Sequence, residues 1–329
     1  MTVPHSPGPA DATVAPAAKS RTDEIPRLLA GLAARSPAIP PKYFYDDLGS
    51  RLFAAITALP EYYPTRTEAE LLRTHLPAIV AAAPVTGGTL IDLGAGNCEK
   101  AAQLFAHMQP RHYVAVDISA EFLRDSLQCL QRLHPQLTLQ GVGTDFSERL
   151  DLPSTLPTHR RTFFYPGSSI GNFTPADAIV FLRSVRDHMG DDGALWIGVD
   201  LQKPRDVLEP AYDDPLGVTA AFNKNVLTHV NRIAGTDFAL ADWRHVAFYD
   251  AHHGRIEMHL EAVRETRVAW RGGGRTFARG ERIHTENSYK HTIPGFRDLL
   301  ARAGLRTAGH WTDARGWFAF FVATPDGTP

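Results

Sequence analysis

The sequence predicts a doubly wound α/β sheet that carries an inserted α+β lobe. Three observations lead there. Between residues 89 and 200 short apolar runs alternate with amphipathic helical stretches, a helix and two further runs close the chain between 296 and 323, and the intervening segment 201–293 has a different, antiparallel rhythm. Alternation of the first kind marks βαβ units, whose parallel strands are covered on both faces and so read as continuous apolar stretches.

The elements follow in chain order. Residues 1–22 are rich in Pro, Ala, Ser and Thr and hold too little periodic apolar surface to offset the entropy of ordering them, so a disordered tail is expected. A short helix is expected over 24–34. Pro40 and Pro41 then rule out a continuous helix through Pro41-Lys-Tyr-Phe-Tyr-Asp-Asp47. Helices over 50–58 and 67–82 flank Leu59-Pro-Glu-Tyr-Tyr-Pro64, the second with Leu71, Leu72, Leu76, Ile79 and Val80 at helical spacing. Beyond Gly87-Gly88 strands are expected at 89–93, 112–117, 137–142, 162–165 and 194–200, and a helix over 296–303 precedes strands at 305–311 and 317–323. Inside the insertion a helix is expected over 219–233 and strands at 245–249, 255–263 and 267–270. The expected division is a sheet domain of residues 65–200 with 294–325 and an auxiliary substrate-binding domain of residues 23–64 with 201–293.

Composition narrows the function. Thirty-four Lys and Arg balance 36 Asp and Glu to a formal charge of -2, which provides no field for a polyphosphate backbone, so nucleic acid is not expected as a partner. Cys98 and Cys129 are too few for a disulfide scaffold and lack metal-ligand spacing, as befits a reducing cytoplasm. Fifteen histidines show no ligand pattern, and no metal is expected. Nothing approaches the run of roughly 18 apolar residues that a membrane span needs, and the first segment is unlike a signal peptide, so a soluble, unexported protein is expected. The sequence names no protein partner and does not give the oligomeric state; a monomer meets everything it asks.

Leu90-Ile-Asp-Leu-Gly-Ala-Gly96 puts two glycines between an apolar strand and the helix that starts near Glu99, where a ligand can approach the backbone closely. Asp117 ends the next strand, 21 residues after Gly96, where a carboxylate can accept both hydroxyls of a ribose. Asp145-Phe146 follows the third strand, with an acid to accept from an adenine amine and a ring to stack on the base. The third glycine of a dinucleotide fingerprint is replaced by Glu99, which argues against a pyrophosphate and favours S-adenosylmethionine over NAD. With the closing pair of strands this is the plan of class I S-adenosylmethionine-dependent methyltransferases, a Rossmann-like sheet of seven strands with the last antiparallel.

Gly167-Ser-Ser-Ile-Gly-Asn-Phe-Thr-Pro175 follows the fourth strand, at the edge where ligands of open α/β sheets bind, and its Asn172 reads either as a carboxylate ligand or as a helix cap. Six more stretches stand out: Pro41-Lys-Tyr-Phe-Tyr-Asp46, Leu59-Pro-Glu-Tyr-Tyr-Pro-Thr-Arg66, Ala211-Tyr-Asp-Asp214, Gly217-Val-Thr-Ala-Ala-Phe-Asn223, Arg255-Ile-Glu-Met258 and Thr285-Glu-Asn-Ser288. With Gly167-Ser-Ser-Ile-Gly-Asn172 they make a resemblance that runs from about Pro40 to Ala323: the chain is similar to the ergothioneine-pathway histidine N-α-methyltransferases.

That resemblance implies a fold, a cofactor and a site. Tyr45 would lie near both the sulfonium and the reacting amine, and Gly94, Lys100, Asp117, Asp145 and Phe146 would hold S-adenosylmethionine. Asn172 and Tyr212 would bind the carboxylate of free L-histidine, with Gly167 and Ser169 lining the same pocket. Tyr62, Met258, Glu286 and Ser288 would surround the side chain, Glu286 and Ser288 bonding the imidazole nitrogens. The product of three transfers would be the trimethyl betaine, hercynine. Two departures stand out: Asn97 and Cys98 replace serine- or threonine-like residues of the glycine loop, and Ser169 replaces a more usual threonine.

Pattern alone reads some of these residues differently. Met258 alternates with Ile256 and Leu260 as core packing does, Tyr62 and Tyr63 between prolines read as packing with a wet tip, and Glu286 reads as a solvated acid on a strand. Two other functions fit the fold: methylation of a different free amino acid such as tryptophan, and a non-catalytic module that binds the cofactor. Met258 with Glu286 favours an imidazole over the first.

Overall fold

Strands covered on both faces must be largely apolar, and the central strands are, with Asp92 and Arg161 as buried exceptions. The computed structural model describes residues 13–16, 24–83, 86–147 and 150–327. In chain order the elements are β1 (Thr13–Pro16), α1 (Glu24–Ala33), α2 (Asp47–Thr57), α3 (Tyr63–Ala82), β2 (Thr89–Leu93), α4 (Glu99–Ala102), α5 (Phe105–Met108), β3 (His112–Asp117), α6 (Ala120–Leu133) and β4 (Thr138–Gly143). There follow β5 (Arg161–Tyr165), α7 (Pro175–Met189), β6 (Ala194–Asp200), α8 (Arg205–Leu208), α9 (Val218–Ala234), β7 (Trp243–Asp250), β8 (Arg255–Ala262), β9 (Thr266–Trp270), β10 (Gly273–Phe277), β11 (Arg282–Tyr289), α10 (Ile293–Arg302), β12 (Leu305–Thr312) and β13 (Phe318–Pro325).

The main sheet runs β1-β4-β3-β2-β5-β6-β13-β12, and β13 is antiparallel to both neighbours while the other pairs are parallel. Every residue of β2, β5 and β6 is buried. Alternate residues feed two cores: Ile91, Val114, Phe163 and Ile197 pack with α7 and α10 on one face, and Leu90, Tyr113, Phe164 and Trp196 with α3 and α6 on the other. Strand order reverses beside β2, so the crevice at the carboxyl ends of β2 and β5 is the topological switch point where such sheets bind ligands.

A third apolar cluster joins residues from two distant parts of the chain, Leu28 to Tyr63 and Leu208 to Ile283. Around it lie α1, α2, α9, a 3-10 turn at Pro41–Phe44, the antiparallel sheet β11-β8-β7 and the hairpin β9-β10.

Several expectations are corrected. Thr13–Pro16, placed in the disordered tail, pair in parallel with the outer edge of β4 and make the main sheet eight-stranded; an uncovered edge offers free backbone donors and acceptors to any extended segment. The rest of that tail lies outside the described residues. Helix α3 begins four residues early because Pro64 suits a first helical turn. Helix α2 begins at Asp47, the Asp46 carboxylate accepting from Gly49 N at 2.9 Å. Strands β10 and β11 were not expected: the first is glycine-rich, the second polar, and both form by pairing within the lobe, where tertiary partners override propensity.

Candidate active site

At the carboxyl ends of β2, β3 and β4 the glycine loop leaves room for a ligand. Gly94 has φ +72° and donates to Val116 O at 2.8 Å, and a Cβ on Gly96 would meet no atom within 4 Å. Asp117 braces the loop by accepting from Gly96 N and Ser119 N, each at 2.9 Å. Burial raises its carboxyl while those amides oppose the rise. The Phe146 ring comes within 3.9 Å of where a Gly94 Cβ would stand. Asp145 accepts from Ser147 N through Oδ1, and its Oδ2 is buried without a hydrogen bond, 3.2 Å from Lys42 Nζ.

Of the two loop departures, Asn97 accepts from Glu99 N at 3.2 Å, and Cys98 is buried with φ 63°. Burial pushes its thiol up to about 12, which makes it inert. Lys100 donates to Glu68 Oε2 at 2.6 Å, and Glu68 Oε1 accepts from Gly167 N at 2.8 Å. The buried Glu68 of α3 thus ties the glycine-loop helix to the turn after β5, a role sequence reasoning missed.

The second half of the site is a cavity of about 500 Å³, counting its open mouth. Tyr45, Tyr62, Gly167, Ser169, Asn172, Tyr212, Met258, Glu286 and Ser288 all line it, with Phe53, Ile56 and Phe222 as further apolar wall. Several are held from behind. The 3-10 turn that delivers Tyr45 is locked by Phe44 stacking on Phe222 at 4.6 Å, and Tyr45 O accepts from Ser119 Oγ at 2.9 Å, beside the glycine loop. Burial, with Glu286 and Asp117 nearby, drives the Tyr45 phenol well above its usual range, so it stays protonated.

Asn172 ends the 3-10 turn Ser169–Asn172, which packs so closely on β11 that a Cβ on Gly171 would lie 2.8 Å from Tyr289 O. Tyr212 is fixed through its carbonyl, which accepts from His245 Nε2 at 2.8 Å while Asn223 Nδ2 donates to the other ring nitrogen, an assignment that follows from the network. Glu286 lies opposite Met258 in the β11–β8 ladder, directly after a register shift that lets Thr285 stand as an extra residue. Bulges of this kind re-aim side chains next to sites.

Glu286 is buried, and its carboxylate makes no hydrogen bond with any described residue. Burial pushes its carboxyl up to about 7 against the opposing pull of Lys290. Ser288 Oγ lies 2.8 Å from Tyr212 Oη, and both are within 2.8 Å of Lys290 Nζ. Behind them Asp200, buried at the end of β6, pairs with Lys290 at 2.9 Å and with Lys203, and accepts from Tyr63 Oη at 2.6 Å. Burial would raise Asp200, but the two lysines outweigh it and hold the carboxyl below its usual range.

Residues 24–325, which hold the glycine loop, its bracing strand-end acid and the cavity of the inserted lobe, match the model of the histidine-specific, SAM-dependent methyltransferases. The chain belongs to that family.

This methyltransferase is 41% identical over 315 residues to the histidine N-alpha-methyltransferase of Mycolicibacterium smegmatis, spanning 93% of its own length and 97% of that protein's. Its identity to the protein of the same name from Mycobacterium tuberculosis is 39%, over 89% and 92% of the two chains. It also matches ergothioneine biosynthesis protein 1 of Neurospora crassa at 32% identity, across 83% of its length but only 32% of that longer protein. Sequence reasoning overlooked Asp200, Lys203 and Lys290 in the methyltransferase. An acid at the end of β6, on the ligand edge of the sheet, was the signal that could have found the first.

Proposed function

We propose that the enzyme transfers the methyl group of S-adenosylmethionine to the α-amino nitrogen of free L-histidine, three times in succession, giving the betaine hercynine for ergothioneine biosynthesis. The observation that carries this reading is the convergence of Asn172 and Tyr212 with Glu286 and Ser288 on one cavity, with Tyr45 between that cavity and the glycine loop. Asn172 and Tyr212 can donate to a carboxylate, and on the same cavity Glu286 and Ser288 are an acid and a hydroxyl suited to an imidazole.

The glycine loop fits the cofactor: Gly96 leaves open space, and Asp145 Oδ2 is a buried acceptor without a hydrogen bond. Gly94 and Asp117 would hold its sugar and tail, Asp145 and Phe146 its adenine, and Lys100 and Tyr45 would flank the tail and sulfonium. When bound, the cofactor supplies an electrophilic methyl carbon. The protein's task is to aim a neutral amine at that carbon, and positioning is worth more here than base catalysis. An α-amino group titrates near 8 in peptides, so a neutral fraction exists without a strong base. Tyr45, kept protonated by burial, serves as a hydrogen-bond partner that orients the nitrogen, and the rings around it can face the growing cationic charge.

In this reading the functional division follows the cores: residues 65–200 with 294–325 carry the cofactor, and residues 23–64 with 201–293 close over the amino acid. A cytoplasmic location, with Cys98 and Cys129 free, belongs to the same proposal. Among the described residues no helix is long and apolar enough to cross a membrane, and no group of His, Cys, Asp or Glu is arranged to hold a metal. The test is incubation with isotopically methyl-labelled cofactor and the twenty free amino acids, followed by mass analysis. Label on histidine alone, up to three methyl groups, supports the reading; label on tryptophan or another amino acid, or cofactor binding without product, overturns it.

A further inference from the structure

Lys290 stands two residues after Ser288, on the same side of the strand end, and its ammonium meets three acceptors. These are the hydroxyl oxygens of Tyr212 and Ser288, at 2.8 Å each, and Asp200 Oδ2 at 2.9 Å. An ammonium only donates. Both hydroxyl oxygens therefore accept from Lys290, and the 2.8 Å bond between them consumes one of their two hydrogens. A single hydroxyl hydrogen is left for whatever enters the cavity.

A substrate carboxylate at Tyr212 can only accept, so it claims that hydrogen, and Ser288 must then donate to Tyr212. Ser288 offers the imidazole nothing but a lone pair, and the ring nitrogen beside it has to carry a hydrogen. Neutral imidazole has only one N–H. Its second nitrogen would confront the Glu286 carboxylate lone pair to lone pair, unless one more proton, drawn from solvent, sits between them. The simpler arrangement, in which Ser288 donates to a neutral ring, would give up the 2.8 Å bond between Ser288 and Tyr212.

We propose that the bonded Tyr212–Ser288 hydroxyl pair, whose two oxygens both accept from Lys290, has its one free hydrogen claimed by the substrate carboxylate, so that histidine is held with one additional proton shared between its ring and Glu286. This rests on the carboxylate and imidazole placements proposed above. The groups facing Glu286 suit it. Tyr45, Tyr62 and Tyr212 are all held protonated by burial, and Lys290 is anchored by Asp200. Beyond them, burial lowers Lys203 to about 8, so a control must separate its titration from that of Glu286. On the cofactor side, Asp117 acts on Tyr45 and Glu68 on Tyr62.

The test is calorimetric titration at pH 8 with Nα-trimethylhistidine, whose quaternary nitrogen carries no proton, in two buffers of different ionisation enthalpy. With Glu286 near 7 and a free imidazole near 6.5, the wild-type protein should take up about 0.9 proton per ligand, and affinity should fall about tenfold per pH unit above 8. Glu286→Gln should bind with almost no uptake, because its amide donates to the ring lone pair, while Lys203 remains in place. Tyr212→Phe, which frees the Ser288 hydrogen for the ring, should bind more weakly and lose the uptake too; if that variant does not bind, the other two titrations decide. Wild-type binding without proton uptake, or full uptake retained in either variant, overturns the proposal while leaving the substrate assignment standing. No binding by the wild-type protein overturns both.

Discussion

Replacing Glu286 by Gln should make the free protein more stable and the enzyme worse, with a pH signature that identifies the cause. The carboxyl is buried, takes no hydrogen bond from a described residue, and is pushed from 4.5 up to about 7. Each pKa unit is worth about 1.4 kcal/mol, so the ionised side chain costs the folded state roughly 3 kcal/mol above pH 7. The sign follows from an acid whose folded value is raised. Below pH 4.5 the group is protonated in both states and the substitution is neutral. Between 4.5 and 7 the unfolded chain releases a proton that the folded protein keeps, so wild type loses stability relative to the variant as pH rises. Above 7 the difference is constant. For a chain of this size 1 kcal/mol corresponds to about 1–3 °C, so Glu286→Gln should melt about 3–9 °C higher at pH 8 and within about 1 °C of wild type at pH 4. In the same variant kcat/KM for histidine should fall roughly 5- to 30-fold, because a charge-assisted hydrogen bond becomes a neutral one. Thermal unfolding of the ligand-free protein across pH 4–8, alongside steady-state kinetics, tests both halves. A melting difference that does not depend on pH would refute the reasoning.

Other consequences are equally direct. Tyr45→Phe removes the protonated phenol between cavity and glycine loop and should slow methylation about tenfold or leave mono- and dimethyl products to accumulate, as read by mass analysis over time; an unchanged course counts against its role. Asp117→Asn loses a carboxylate that braces Gly96 and Ser119, so KM for S-adenosylmethionine should rise about tenfold or more while KM for histidine changes less than about twofold. Glu68→Gln turns an amide toward the Lys100 ammonium; since Lys100 is partly exposed, a loss of about 2–4 kcal/mol in denaturant unfolding is expected, together with a raised KM for histidine as Gly167 shifts.

The main sheet was legible because burial on both faces leaves a plain mark. Strands such as Ala194–Asp200 have no polar interruption before their last residue, and the structure places them where the apolar runs end. The lobe was harder. β11 begins Arg-Ile-His-Thr-Glu, and its alternation breaks where Thr285 is inserted, so no period of two survives in the residues that matter most. Glu286 on its own looked like a solvated acid; its burial comes from Tyr45, Tyr62 and Tyr212, supplied by segments far away in sequence. For the same reason Lys290 and Asp200 could not be joined beforehand, since a strand end and a residue 90 positions later meet only once the lobe folds over the sheet. The resemblance to a known family identified the cavity residues; the proton network behind them emerged from the geometry.

The central claim is that one cavity grips both ends of a free histidine beside the glycine loop. A crystal structure with S-adenosylhomocysteine and histidine tests it most directly. The account predicts the carboxylate on Asn172 and Tyr212, the ring nitrogens on Glu286 and Ser288, and the α-nitrogen next to Tyr45, facing the cofactor sulfur. Histidine bound elsewhere, or turned so that its ring meets Asn172, would contradict it.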